Sequence, residues 1–303
     1  MRVLALAVLA ACASRESTIE QGLTQQCPTQ TLEGIDVYAG QGTVDWMKVA
    51  GAGRKFAFIK ATQGNYNKQS TFAADWSGAA QAGVLRSPYH FFDGTIDGAA
   101  QATWFLDELA AAGGLQPGDL PPMLDLECPT SSVQASASAN CEYTGNSGWV
   151  ATATLKQRAF DWLTAVQQAT GRTPFIYSYP SWFGSVAFTD AALAAYPLFI
   201  ATYASCASVP TPWKSAVFWQ YSDTGTVAGV TGQVDEDRFI GSDGDLSGYT
   251  GLVDAGIPDD AGLPPPKGAG CGCRSSSPGA AWPMLVAWLV MRRRKASSHS
   301  RTC

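Results

Sequence analysis

The sequence predicts an α/β fold over residues 33–251, a TIM-like barrel that lacks its helical layer on one side. Three observations carry this. Eight short runs rich in β-branched and aromatic residues follow one another, amphipathic helical patterns separate the early runs, and several runs finish in a carboxylate. In order the runs are 34–38, 56–60, 87–91, 122–127, 173–177, 197–203, 217–221 and 232–235. Helices are expected at 71–82, 99–112 and 150–170. The last is the strongest, because Leu155, Phe160, Leu163 and Val166 recur at helical spacing and Gly171 stands where a helix stops. The final three runs lie too close together for helices between them.

Composition narrows the function. With 46% hydrophobic and 11% aromatic residues the chain buries a large core. Lys and Arg number 20 against 25 Asp and Glu, and six of the basic residues are Arg2 and five from Arg292 onward. The remainder therefore holds 14 basic against 25 acidic residues, a balance that argues against nucleic acid and against attraction to anionic lipid. Two histidines, His90 and one in the C-terminal tail, leave a single candidate for triad chemistry and exclude a His-rich metal site.

The ends read as addresses. Residues 1–11 are a short apolar export signal, and the small residues before Cys12 resemble a lipobox, which would make Cys12 the lipidated first residue of the mature chain. Residues 12–32 are expected as a tether and 252–270 as a linker rich in Pro, Gly and Asp. Residues 271–303 place Cys271-Gly272-Cys273, an apolar stretch interrupted by Pro283 and a basic cluster in the order of a myxobacterial C-terminal sorting tag, which they resemble. The expectation is an exported monomer at the outer membrane or cell surface, or released from it, touching membrane only through these terminal signals. Four cysteines remain for the globular part, Cys27, Cys128, Cys141 and Cys206, and allow three pairings. Cys128–Cys141 is the favoured bridge and Cys27–Cys206 the second.

The chemistry lies at the run ends. Asp36 ends the first run, Asp125 and Glu127 the fourth, and Asp235 the eighth. Closing a barrel makes its first and eighth strands neighbours, which brings Asp36 to Asp235. Asp125 and Glu127, two residues apart, share a strand face at about 6–7 Å, and Leu124 and Leu126 then point outward. Crowded acids raise one another's pKa, and a protonated carboxyl beside ionised ones suits cleavage of a glycosidic bond. A divalent cation site is the competing use of four acids. Tyr38, Tyr89, Phe91, Tyr177, Tyr203, Trp219 and Gln220 fall in or just beyond the runs as candidate sugar contacts, with core packing as the alternative for any one aromatic. Trp219 and Gln220 are adjacent, so only one faces inward. His90 is expected to face away from its aromatic neighbours as a core histidine. Lys60 is either a partner of the acids or an ordinary strand-end lysine.

Taken in order, Gly34-Ile35-Asp36-Val37, Phe58-Ile59-Lys60-Ala61-Thr62-Gln63-Gly64, Tyr89-His90-Phe91, Leu124-Asp125-Leu126-Glu127, Ala201-Thr202-Tyr203, Trp219-Gln220-Tyr221-Ser222 and Val234-Asp235 resemble glycoside hydrolase family 25. The resemblance implies a flattened (β/α)5β3 barrel and hydrolysis of the β-1,4 bond between N-acetylmuramic acid and N-acetylglucosamine in peptidoglycan strands, without a cofactor. It further implies that Glu127 is the general acid/base, that Asp125 orients the substrate's 2-acetamido group, and that Asp36 and Asp235 position substrate or tune Glu127. A carboxylate nucleophile and an inverting water route are the other mechanisms open to these acids. The family often carries Glu where Gln63 stands, so one accessory acid is absent, and the Ser- and Ala-rich segment 129–147 is an insertion beside Glu127. A catalytically silent peptidoglycan-binding barrel and a barrel glycosidase acting on chitin-like chains are the alternative functions.

Overall fold

The computed structural model describes residues 22–127 and 150–251. The expectations for Cys12, for the Cys128–Cys141 bridge and for the terminal signal, linker and sorting segments lie outside the described residues. A short strand, β1 (Leu23–Gln26), precedes five βα units. These are β2 (Thr31–Val37) with α1 (Trp46–Gly51), β3 (Phe56–Gln63) with a two-residue β4 (Asn67–Lys68) and α2 (Phe72–Gln81), and β5 (Leu85–Phe91) with α3 (Gly98–Ala111). β6 (Met123–Asp125) with α4 (Thr152–Thr170) and β7 (Phe175–Ser178) with α5 (Pro180–Ser185) follow. Then come β8 (Leu198–Ala201), β9 (Ala207–Pro210), β10 (Phe218–Gly225), β11 (Val234–Ile240) and a last short helix, α6 (Asp243–Ser247).

Eight strands close on themselves in the order β2, β3, β5, β6, β7, β8, β10, β11, with β11 antiparallel to both β10 and β2. This is a (β/α)5β3 barrel, and all eight expected runs take part. The helices at 71–82, 99–112 and 150–170 form within a residue or two of the expected positions. α4 buries Leu155, Trp162, Leu163 and Val166 on one face, and Gly171 ends it in the left-handed conformation at φ 66°.

Strand alternation sorts the side chains. Ile35, Val37, Ala57, Ile59, Leu124, Ile176 and Ile200 point outward into the layer shared with the helices. Phe56, Phe58, Phe175, Phe199, Phe218 and Phe239 fill the barrel floor. The Phe218 ring meets Phe56 and Phe58 edge-on at centroid distances of 5.0 Å, the arrangement the ring quadrupole favours. Gly34 makes room for this floor, since a Cβ there would lie 2.3 Å from the Phe56 ring.

Where helices are missing, charge covers the sheet. On the outer face of β2, β10 and β11, Glu33 accepts from Arg238 at 3.0 Å and from the Tyr221 hydroxyl at 2.9 Å, and Arg54 pairs with Glu236. The Arg238 guanidinium lies 3.9 Å from the centre of the Tyr221 ring. β1 and β9 were not foreseen. They pair antiparallel outside the barrel, and a Cys27–Cys206 disulfide ties them, the bridge placed second from the sequence.

Candidate active site

The acids converge at the strand ends. Asp36 of β2 lies directly opposite Asp235 of β11 in the strand register, and Asp125 closes β6 two residues before Glu127. All four line one cleft of about 520 Å³, together with Lys60, Tyr89, Phe91 and Tyr177. Leu124 and Leu126 point the other way, into the helical layer, as the alternation requires.

Gln220 connects the two sides of this mouth. Its Oε1 accepts from the hydroxyls of Tyr177 at 2.9 Å and Tyr203 at 2.8 Å, and its Nε2 donates to Asp36 Oδ2 at 2.7 Å. Gln220 is therefore the inward residue of the adjacent pair. Trp219 is corrected from sugar contact to core: it is 1% exposed, packs in the outer layer and donates its Nε1 to the Thr202 carbonyl at 2.7 Å. Tyr203 is half exposed beside the cleft. Tyr89, Phe91 and Tyr177 are buried, so they form its wall rather than project into it. Tyr38 is 49% exposed at the rim.

His90 is a core residue. It faces away from the cleft, bonded to Thr62 Oγ1 at 2.7 Å and to Gln101 Oε1 at 3.1 Å, and stacks on Trp162. Burial lowers its pKa to about 3, so it stays neutral. Lys60 does belong to the acid cluster. Its ammonium donates to Gln63 Oε1 at 3.1 Å and sits 4.3 Å above the Phe91 ring, while its field lowers Asp125 and Glu127. Among the described residues no carboxylate lies within ion-pairing distance of it, so its charge acts on the cluster as a whole.

Burial and mutual repulsion push the acids upward. Burial, then Asp235 and Asp237, raise Asp36 well above the usual carboxylate range. Burial, then Glu127, do the same to Asp125. Glu127 is raised by burial, against the opposing pull of Lys60 and of its hydrogen bond with Asp125. Burial lifts Asp235 to about 6, against the lowering effect of a hydrogen bond from Asp36. Two carboxyl pairs thus face the cleft, and in each burial and mutual repulsion favour keeping a proton. Protons and negative charge are available within one mouth, as acid-catalysed cleavage of an acetal requires. Among the described residues no set of His, Cys, Asp and Glu has metal-holding geometry.

Several cleft residues escaped the sequence reading, Ala39 and Gly40 among them. Tyr66, Asn67 and Gln69 line it from the β3–β4 hairpin. Asp237, two residues beyond Asp235 and on the same strand face, is fully buried with both carboxyl oxygens unpartnered. Burial, then Asp235, raise it well above the usual range, which favours its neutral form under the site.

Known proteins resemble this chain in sequence and in fold. The sequence profile described as "Glycosyl hydrolases family 25" matches residues 35–230. Lysozyme M1 of Streptomyces globisporus is 34% identical over 220 residues, which are 71% of this chain and 69% of the relative. An N,O-diacetylmuramidase of a Chalaropsis species is 33% identical over 68% of this chain and 96% of its own length. The crystal structure of a bacterial lysozyme from Streptomyces coelicolor superposes with a TM-score of 0.63 at 32% identity, covering 74% of this chain and 98% of that one. The acid-rimmed barrel and the length of these matches agree, and the chain belongs to glycosyl hydrolase family 25.

Proposed function

We propose that the protein is an exported muramidase that hydrolyses the β-1,4 bond between N-acetylmuramic acid and N-acetylglucosamine in peptidoglycan. The observation that carries this is the meeting of Asp36, Asp125, Glu127 and Asp235 in one cleft with raised affinities for protons. An idle wall-binding barrel has no use for four mutually repelling acids, which cost stability wherever they sit together.

Protonated Glu127 gives its proton to the bridging oxygen as the C1–O bond breaks, and the N-acetylglucosamine side leaves as an alcohol. The substrate's own acetamido oxygen closes on C1, while Asp125 accepts a hydrogen bond from the acetamido N–H and stabilises the oxazolinium charge. Ionised Glu127 then takes a proton from water. The hydroxide adds to C1 from the vacated side, the oxazolinium opens, and the anomeric configuration is retained. Asp36, held by Gln220, and Asp235 position the sugar and keep negative charge opposite Glu127.

The Cys27–Cys206 disulfide fits an oxidising compartment, in line with export through residues 1–11 and lipidation at Cys12. We place the enzyme at the outer membrane or cell surface, or released from it, as a monomer held by its terminal signals. Glu127→Gln tests the assignment. It should abolish turbidity loss of purified cell walls while keeping the fold and wall binding, and unchanged lysis removes Glu127 from the mechanism.

A further inference from the structure

The bonds around Gln220 have a direction as well as a position. Its Oε1 receives two hydroxyl protons, from Tyr177 and Tyr203, and among the described residues the Tyr177 hydroxyl makes no other bond. Turned to accept from the amide instead, that hydroxyl would bury its own proton without an acceptor, which is costly in a buried site. The two tyrosines therefore fix the amide, with Nε2 aimed at Asp36 Oδ2 at 2.7 Å. An oxygen that accepts an N–H bond plays the carbonyl part of a carboxyl group, so a proton on Asp36 resides on Oδ1. The carboxyl directly across from Asp36 is Asp235, and the hydrogen bond between them holds Asp235 down. Depth sorts the same acids in the same way. Asp237 lies two residues below Asp235 on the same strand face, fully buried and with neither oxygen partnered, Asp36 is 8% exposed, and Asp235 is the most open of the three. A single negative charge costs least on the acid that water reaches best.

We propose that Tyr177 and Tyr203, acting through Gln220, are positioning residues that keep the proton of the carboxyl pair on Asp36 and its negative charge on Asp235. The inference rests on the muramidase reading and deepens it, because it names which acid stands ionised opposite Glu127 during cleavage. The other groups facing the pair act at longer range. Asp237 of β11 and Asp125 of β6 oppose ionisation of Asp36, and Asp223 of β10 opposes that of Asp235. Glu127 and Lys60 face the pair with opposite charges, and Tyr89 of β5 with a hydroxyl that burial keeps protonated. Among the described residues none of these bonds to the Asp36 oxygen that the amide holds. Without the two hydroxyls the amide is free to turn, and its Oε1 then draws the Asp36 proton onto Oδ2. Asp235 loses its hydrogen bond and holds a proton more tightly, so removing the hydroxyls raises the pH at which Asp235 ionises.

The test is a carbon-13 NMR titration of the full chain labelled at its aspartate carboxyls, with Asp36→Asn and Asp235→Asn to assign the pair. The parent should show a carboxyl that ionises near pH 6 and is lost in Asp235→Asn, while the Asp36 signal stays at its protonated position across that range. Tyr203→Phe, alone and together with Tyr177→Phe, keeps the rings and removes the hydroxyls. The double variant should raise the proton affinity of Asp235 roughly threefold or more. Tyr221→Phe, which removes a hydroxyl bonded to Glu33 outside the barrel, should leave that affinity where it is. In the active enzyme the acid limb of kcat/KM should move to higher pH by the same factor, a shift that loss of packing alone does not produce. An Asp235 midpoint that stays put in the double variant overturns the proposal, as does a signal near pH 6 that is lost in Asp36→Asn and survives in Asp235→Asn. The titration needs no substrate, so a failure of the muramidase reading shows separately, as absence of cleavage by the unsubstituted enzyme.

Discussion

Asp235→Asn should make the protein more stable and the enzyme worse. Asp235 faces Asp36 across the strand pair, and burial lifts its carboxyl from 3.8 to about 6. A carboxyl raised in the folded state favours folding while it is protonated. The benefit is whole below the unfolded value of 3.8 and is lost as pH rises through about 6. Above that, keeping the ionised group in place costs about 3 kcal/mol. Asparagine has nearly the same shape, can still accept from Asp36, and carries no charge. At pH 7.5 the variant should therefore gain about 2–3 kcal/mol, which for a domain of this size raises Tm by roughly 5–10 °C. At pH 4 the two proteins should melt within about a degree of each other. Thermal or urea unfolding followed by circular dichroism at both pH values measures this, and cleavage of cell walls should fall in parallel. A variant no more stable than its parent at pH 7.5, or a gain as large at pH 4, refutes the crowded-carboxyl reasoning.

Other perturbations separate the roles of individual residues. Lys60→Met removes the charge that holds Glu127 and Asp125 down, so the alkaline limb of the activity profile should move to higher pH; a limb that stays put places Lys60 outside the cluster's field. Trp219→Ala should cost about 3–5 kcal/mol of stability through the cavity it leaves. At a temperature where it remains folded, its KM for glycan should equal that of the parent, and a raised KM would return Trp219 to the binding surface. Replacing Cys27 and Cys206 by serine opens a link between residues 179 apart, so unfolding in urea should show a loss of about 2–5 kcal/mol. An unchanged urea midpoint would mean that the β1–β9 pair holds without its bridge.

The barrel and its acids were legible because both follow from alternation. Runs of period two that end in a carboxylate locate strands and the mouth together, and ring closure brings Asp36 to Asp235 without any distance being known. Alternation gives only relative facing, however. It states that Trp219 and Gln220 oppose each other, but the choice came from what each meets: Asp36, Tyr177 and Tyr203 for the amide, the outer layer for the indole. Asp237 is readable in principle, since it continues the inward parity of Asp235 two residues beyond the last expected run. Leu23–Gln26 shows no signal because this strand, exposed or half-buried throughout, has no apolar face of its own. The Gly64-Asn65-Tyr66-Asn67 stretch reads as a turn, and only the ring resting on Gly64 turns it into a wall of the cleft. The bonds from Tyr221 and Arg238 to Glu33 and the Arg54–Glu236 pair join residues some 180 to 205 positions apart, beyond the reach of local pattern.

The most direct measurement is the identity of the new reducing end. Purified peptidoglycan digested by the enzyme, reduced with borohydride and analysed by mass spectrometry should yield fragments that end in reduced N-acetylmuramic acid, all of them lost with Glu127→Gln. Fragments ending in reduced N-acetylglucosamine would show that the four converging carboxyls cut the other glycosidic bond, and would contradict the assignment.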